Sequence, residues 1–174
     1  RFSFLNTILG IIFFAMTFAD ITSIAPLDWY AIFSALVCGT IIGLERQLRG
    51  KPVGIRTSSL IVLGTYAFVA LSQSLNNEVT DTTRIIGQVV TGVGFLGAGV
   101  MLSKDGVVMG VTSAATIWAL AAIGVCIAVA GHVVAIKLAV LVVLILVGVD
   151  ILENYSAALT RGVHSKITDW RKRR

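Results

Sequence analysis

Thr91-Gly92-Val93-Gly94-Phe95-Leu96-Gly97-Ala98-Gly99 lies inside an uncharged run from Ile85 to Leu102. Four glycines in eight residues weaken a water-exposed helix by about 1 kcal/mol each relative to alanine, so helix propensity does not hold this segment together. A bilayer supplies what propensity lacks, because backbone groups must be satisfied internally there and small residues let neighbouring helices approach. The same residues contain Gly92-x-Gly94-x-x-Gly97, the spacing of a dinucleotide-binding turn. That turn requires a strand before it, a helix after it and an acidic residue about 20 positions on. Here the flanks are apolar and the residue twenty past Gly97 is Ile117. The stretch reads as a packing helix in a membrane.

The rest of the chain agrees. Its 174 residues are 56% hydrophobic and only 13% charged, against about 25% charged in a soluble domain. That leaves too little polar surface to cover a water-soluble globule. A formal charge of +5 can mark a nucleic-acid binder, but the basic residues sit in short segments between apolar runs. Positive-inside membrane topology accounts for that pattern, and no nucleic-acid partner is expected. Cys38 and Cys126 are isolated within apolar runs and read as small buried hydrophobes, so neither a disulfide nor a zinc site is implied.

Six spans follow from the apolar runs, giving an all-α membrane protein. Phe2 to Ala19 is the first; its basic start resembles a signal peptide, but its length and the lack of a small-x-small cleavage site favour a retained span. Trp29 to Leu44 is the second, opened by two interfacial aromatics and striped by Ala35, Gly39 and Gly43 at spacings of four. Glu45 to Thr57, with four basic residues, Pro52 and two glycines, reads as a cytoplasmic loop. Thr57 to Leu75 is the third span and the glycine-dense run the fourth. Ser103-Lys104-Asp105-Gly106 is a turn signal, followed by a fifth span, Val107 to Ala130, and a lipid-facing sixth, Val133 to Val149. Assigning sides puts twelve of the fourteen basic residues on one side, which predicts both termini in the cytoplasm. Residues 1–28 form an additional span and link, 29–152 the membrane domain and 153–174 a basic tail.

At 100° per residue, Gly87, Thr91, Gly94 and Ala98 share one stripe of the fourth span, and Gln88, Gly92 and Gly99 a second. Two small faces predict a central position in the bundle, and the Gln88 amide needs a polar partner there. Glu45-Arg46 reads either as a snorkelling interfacial pair or as an ion pair, Glu45 with Arg56 or Arg46, that fixes the loop against the fourth and fifth spans. A lone carboxylate between arginines is a poor magnesium site, and no metal is assigned. The second to fifth spans carry no Asp, Glu, Lys or Arg in their apolar interiors, which argues against a carboxylate-based carrier. A path lined by backbone and by the hydroxyls of Thr112, Ser113 and Thr116 stays open. No nucleophile and base are paired, so no enzyme activity is expected, and no cofactor is implied. The tail reads equally as an anionic-lipid anchor and as a plain topology signal.

Three segments resemble the membrane domain of the MgtC/SapB family of bacterial inner-membrane proteins: GTIIGLERQLRGKPVGIRT (39–57), RIIGQVVTGVGFLGAGVML (84–102) and VMGVTSAATIWALAAIGV (108–125). The family's paired Glu-Arg falls on Glu45 and Arg46, its GLRT on Gly54 to Thr57, and its QVxxGxGFLGAG on Gln88 to Gly99, including Gly97. Its GLxTAAxxW falls on Gly110 to Trp118, with Ser113 where the family usually has Thr. Glu45, Arg46, Arg56, Thr57, Gln88, Thr91, Gly92, Gly94, Gly97, Gly99, Thr112, Thr116 and Trp118 are therefore the candidate functional residues, expected to form one unit. The resemblance implies a multi-pass inner-membrane protein associated with low magnesium, acid and growth inside host cells. It also implies a contact with the ATP synthase membrane sector or a transporter, and the chain itself is expected to form a homo-oligomer in the bilayer. Members known from virulence carry a cytoplasmic C-terminal domain, and this chain reads as a short form without it.

Overall fold

Asp28 starts the first described helix. In the computed structural model, which describes residues 23–75, 82–104 and 107–155, its carboxylate Oδ2 accepts the Ala31 N–H at 2.8 Å. That bond satisfies one of the amide groups a helix start leaves open. Helix α1 then runs Trp29–Leu48. The expected first span, the 76–81 link and the basic tail lie outside the described residues, and with them the count of six and the sides of the termini.

The apolar run ends at Leu44, where the span is expected to stop, whereas α1 continues through Glu45, Arg46 and Gln47. These are good helix formers, and nothing stops the helix until Arg49 and Gly50, the latter at φ +62°. The connecting loop is therefore only 49–54, and α2 begins at Ile55. Within the loop Val53 has φ +69°, an outlier for a β-branched residue. The buried Ser58 hydroxyl donates to its carbonyl at 3.0 Å, which helps hold that geometry.

Helix α2 (Ile55–Ser74) lies against the small stripe of α1. A methyl group added at Gly43 would sit 2.5 Å from Ile55 Cα, and one at Gly39 would sit 2.7 Å from the Ser59 nitrogen. The two backbones therefore meet where only hydrogen fits between them, as the GxxxG stripe anticipates.

Helix α3 (Thr82–Gly99) contains the glycine-dense stretch. Against expectation it is peripheral: it packs on α4 and, more lightly, on α2, and only Val93 and Gly97 are buried. Glycine permits close approach but supplies no side chain to fill a core. The inner positions are taken by α1, α2 and α4, whose Ile42, Val62, Ile117, Leu120 and Ile123 are fully buried.

The expected turn is framed by a short antiparallel hairpin. Strands β1 (Leu102–Lys104) and β2 (Val107–Met109) pair Leu102 with Met109 and Ser103 with Val108. The fourth span thus ends earlier, and the fifth starts later, than the apolar runs suggest. Gly110 follows at φ +88°, with its α-carbon against the Val100 carbonyl, and opens α4 (Val111–Val129). Gly124 brings α4 onto α2, where an added methyl would lie 2.6 Å from the Val62 carbonyl oxygen.

After Gly131, also left-handed at φ +89°, α5 runs His132–Tyr155. Ala135 and Ala139 are its buried hydrophobic residues, and most of its Val, Leu and Ile side chains are exposed or half-buried, as expected of a lipid-facing helix.

Four of the five described helices, α1, α2, α4 and α5, are long and apolar enough to cross a membrane. The C-terminal turns of α2 and α4 meet, since Gln73 Nε2 donates to the Ala128 carbonyl at 3.4 Å. These two helices therefore run in the same direction. The chain between them must come back, and α3, rich in glycine, makes that return.

Candidate functional site

Charged residues are rare in this bundle, and the described ion pairs gather at one end of it. Glu45 and Arg46, in the last turn of α1, are 8% and 4% exposed. Arg46 Nη1 lies 3.5 Å from Glu45 Oε2, and Arg49 Nε lies 2.7 Å from Glu45 Oε1. Arg49 Nη1 also pairs with Asp150 on α5. One guanidinium thus bridges two carboxylates on different helices and ties the C-terminal turns of α1 and α5 to each other.

The cluster is held by charge more than by oriented hydrogen bonds. Both Glu45 carboxylate oxygens and Arg46 Nε are buried without a well-angled hydrogen bond. Such groups are costly to leave uncompensated, so each depends on the opposite charge beside it. The snorkelling reading of Glu45-Arg46 is therefore incorrect, because both side chains are covered by protein. Of the two partners expected for Glu45, Arg46 is correct and Arg56 is not: Arg56 and Thr57 are exposed in the first turn of α2. Arg49 and Asp150 were not singled out from sequence. The spacing of Glu45 and Arg49, one helical turn, was the available signal for the first. An acidic residue closing a long apolar run was the signal for the second.

The other candidates lie elsewhere. Gln88, Thr91, Gly92, Gly94 and Gly99 are exposed on α3, and no described residue lies within 4 Å of a methyl added at any of these three glycines. Thr91 Oγ1 donates to the Gly87 carbonyl of its own helix at 2.9 Å. Gly97 alone faces the bundle, 3.7 Å from the Ala114 side chain by the same measure. On α4, Thr116 is buried and donates to the Thr112 carbonyl at 2.8 Å, Ser113 is buried, and Thr112 is exposed. Trp118 is 56% exposed. The expected single unit is thus two features within this chain, a buried charge cluster at one end and an unoccupied glycine-rich helix face along the side. Among the described residues, no three His, Cys, Asp or Glu side chains converge as metal ligands would.

Long apolar helices, a basic loop and a core built on small-residue crossings define a multi-pass helical membrane protein. The model of the MgtC family matches residues 32–155, and the chain belongs to that family. It is 47% identical over 100 residues to the Escherichia coli K12 protein named "Putative magnesium transporter YhiD", covering 53% of this chain and 46% of that one. It is 42% identical over 118 residues to an uncharacterised Haemophilus influenzae protein, covering 60% and 50%. Protein MgtC of Brucella abortus is 41% identical over 91 residues, covering 52% and 38%. The chain thus spans half or less of the length of these curated relatives. No solved structure matches it.

Proposed function

We propose that this protein is a non-enzymatic regulator of ion homeostasis in the bacterial inner membrane, linked to magnesium supply and working through helix contacts made by α3. The observation that carries this reading is the open face of that helix. Among the described residues, Gly87, Gly92 and Gly94 have no neighbour where a side chain would project, and Gln88 beside them is exposed. A small-residue face with an amide on it suits close docking of another helix in hydrocarbon. The occupant is a second copy or another membrane protein, such as the ATP synthase membrane sector or a transporter, as the family resemblance suggests. The charge cluster at the ends of α1 and α5 fixes the frame against which α3 is presented. In this reading the basic end of the bundle faces the cytoplasm, with six spans and both termini inside.

A second reading is a magnesium channel or transporter. It is favoured by the name of the Escherichia coli relative and by the exposed Gln88, Thr91 and Thr112, which would line a path along α3 and α4. Two measurements separate the readings. In native membranes, a cysteine at Thr91 is expected to cross-link to a partner helix, and Gly94→Leu is expected to abolish that contact while the chain stays folded. Proteoliposomes holding only this protein are expected to show no magnesium flux. Mutation-sensitive flux without cross-linking would replace the regulator with the transporter.

A further inference from the structure

At the end of the bundle opposite the Glu45–Arg49–Asp150 cluster, a cavity of about 420 Å³ opens between the start of α1, the last turns of α2 and the α4–α5 corner. Its volume falls within the range of sites for small ligands, about 300–1,000 Å³. Asp28, Tyr66, Gln73 and His132 line it together with apolar wall residues such as Ile127. These polar groups come from three separate parts of the chain, so the fold itself brings them together.

The polar groups divide into two poles. Asp28 is exposed and its Oδ2 accepts the Ala31 N–H, and among the described residues Oδ1 has no partner. Among the described ion pairs none involves Asp28, so its negative charge has no counter-ion there. The Tyr66 hydroxyl accepts the Asp28 N–H at 3.0 Å, and its own proton is available to the cavity. Gln73 donates through Nε2 to the Ala128 carbonyl, so its amide oxygen is also available as an acceptor. The opposite pole is the start of α5. Gly131 and His132 lie on the cavity wall, and the first bond of this 24-residue helix runs from Ala135 N to Gly131 O. The amides before Ala135 therefore lie outside the helical ladder, where the positive end of the helix dipole favours an anion. Trp29 and Tyr30, 57% and 77% exposed beside Asp28, are the aromatic pair expected at headgroup depth.

We propose that this cavity binds the phosphoethanolamine headgroup of a zwitterionic membrane lipid. The ammonium lies against Asp28 and the Gln73 oxygen, and the phosphate against His132 and the first turn of α5. A choline headgroup offers no N–H donor to the carboxylate, and a glycerol headgroup offers no cation. The site therefore discriminates by the primary ammonium.

The test uses the full chain purified in detergent and exposed to phosphatidylethanolamine, phosphatidylcholine or phosphatidylglycerol with identical acyl chains, with bound lipid read by native mass spectrometry. Retention of phosphatidylethanolamine is expected to exceed that of the other two by about tenfold, the ratio set by one charge-assisted hydrogen bond. Asp28→Asn keeps the helix cap, since asparagine caps as well as aspartate, and is expected to remove the preference. Tyr66→Phe, which leaves the ring in place, is expected to reduce it and carries the test if Asp28→Asn does not fold. Equal retention of the three lipids, or an undiminished preference in both variants, would overturn the proposal. Displacement of the bound lipid by millimolar soluble phosphoethanolamine would overturn the lipid assignment in favour of a free metabolite.

Discussion

Gly43→Ala tests the α1–α2 contact most directly. The added methyl would lie 2.5 Å from Ile55 Cα and 2.7 Å from its nitrogen, whereas carbon atoms pack at about 3.5–4.0 Å. The start of α2 must therefore retreat by roughly 1 Å. What it meets is backbone, and the Ile55 amide is already engaged by Gln47 Oε1 at 3.4 Å, so the strain cannot be relieved by a side-chain rotation. Overpacking of this kind costs about 1–3 kcal/mol, while alanine returns up to about 1 kcal/mol through its helix preference. The net expectation is a loss of about 1 kcal/mol, within a range of about 0–2 kcal/mol. Gly92→Ala is the matched control: nothing lies within 4 Å of its added methyl, so only the helix gain of up to about 1 kcal/mol applies. Reversible unfolding in mixed micelles, titrated with SDS and followed by helical circular dichroism, should separate the two by about 2 kcal/mol. If Gly43→Ala proves as stable as Gly92→Ala, the close-crossing account of α1 and α2 is wrong.

Three further outcomes are expected in the same assay. Glu45→Gln leaves Arg46 buried without its charge partner and should cost about 3 kcal/mol; the double variant with Arg46→Gln should recover part of that loss. A double-mutant cycle on Arg49 and Asp150, both partly solvent-accessible, should give a coupling of about 0.2–1 kcal/mol that falls as salt is added. Gly110→Ala places a side chain at φ +88° against the Val100 carbonyl and should destabilise by about 1–3 kcal/mol, read as a lower unfolding midpoint.

The apolar runs made the helices legible, and the Ala35, Gly39 and Gly43 stripe made one contact legible, because four-residue spacing maps onto a helix face without knowledge of the partner. Where glycine clusters sit in the bundle was not legible. The same letters mean a core crossing at Gly43 and Gly124 but an open face at Gly92 and Gly94, and the difference lies in what packs opposite. The ends of the helices are not legible for a related reason. Hydropathy stops at the first charge, yet α1 carries Glu45 and Arg46 inside, since opposite charges one residue apart can be covered together. Strands of three residues are too short to leave a periodic signal, so β1 and β2 were read only as a turn. Asp150 became meaningful only when α5 came to lie beside α1, a contact between residues a hundred positions apart.

The modest apolarity of α3 also bears on how it is held in a bilayer. An 18-residue helix carrying Arg84, Gln88 and five glycines partitions into a bilayer more weakly than the uncharged, Ala-rich α4. Residues 100–110 join these two helices, so α3, which is not among the four described helices long and apolar enough to cross a membrane, is tied by a short connection to one that is.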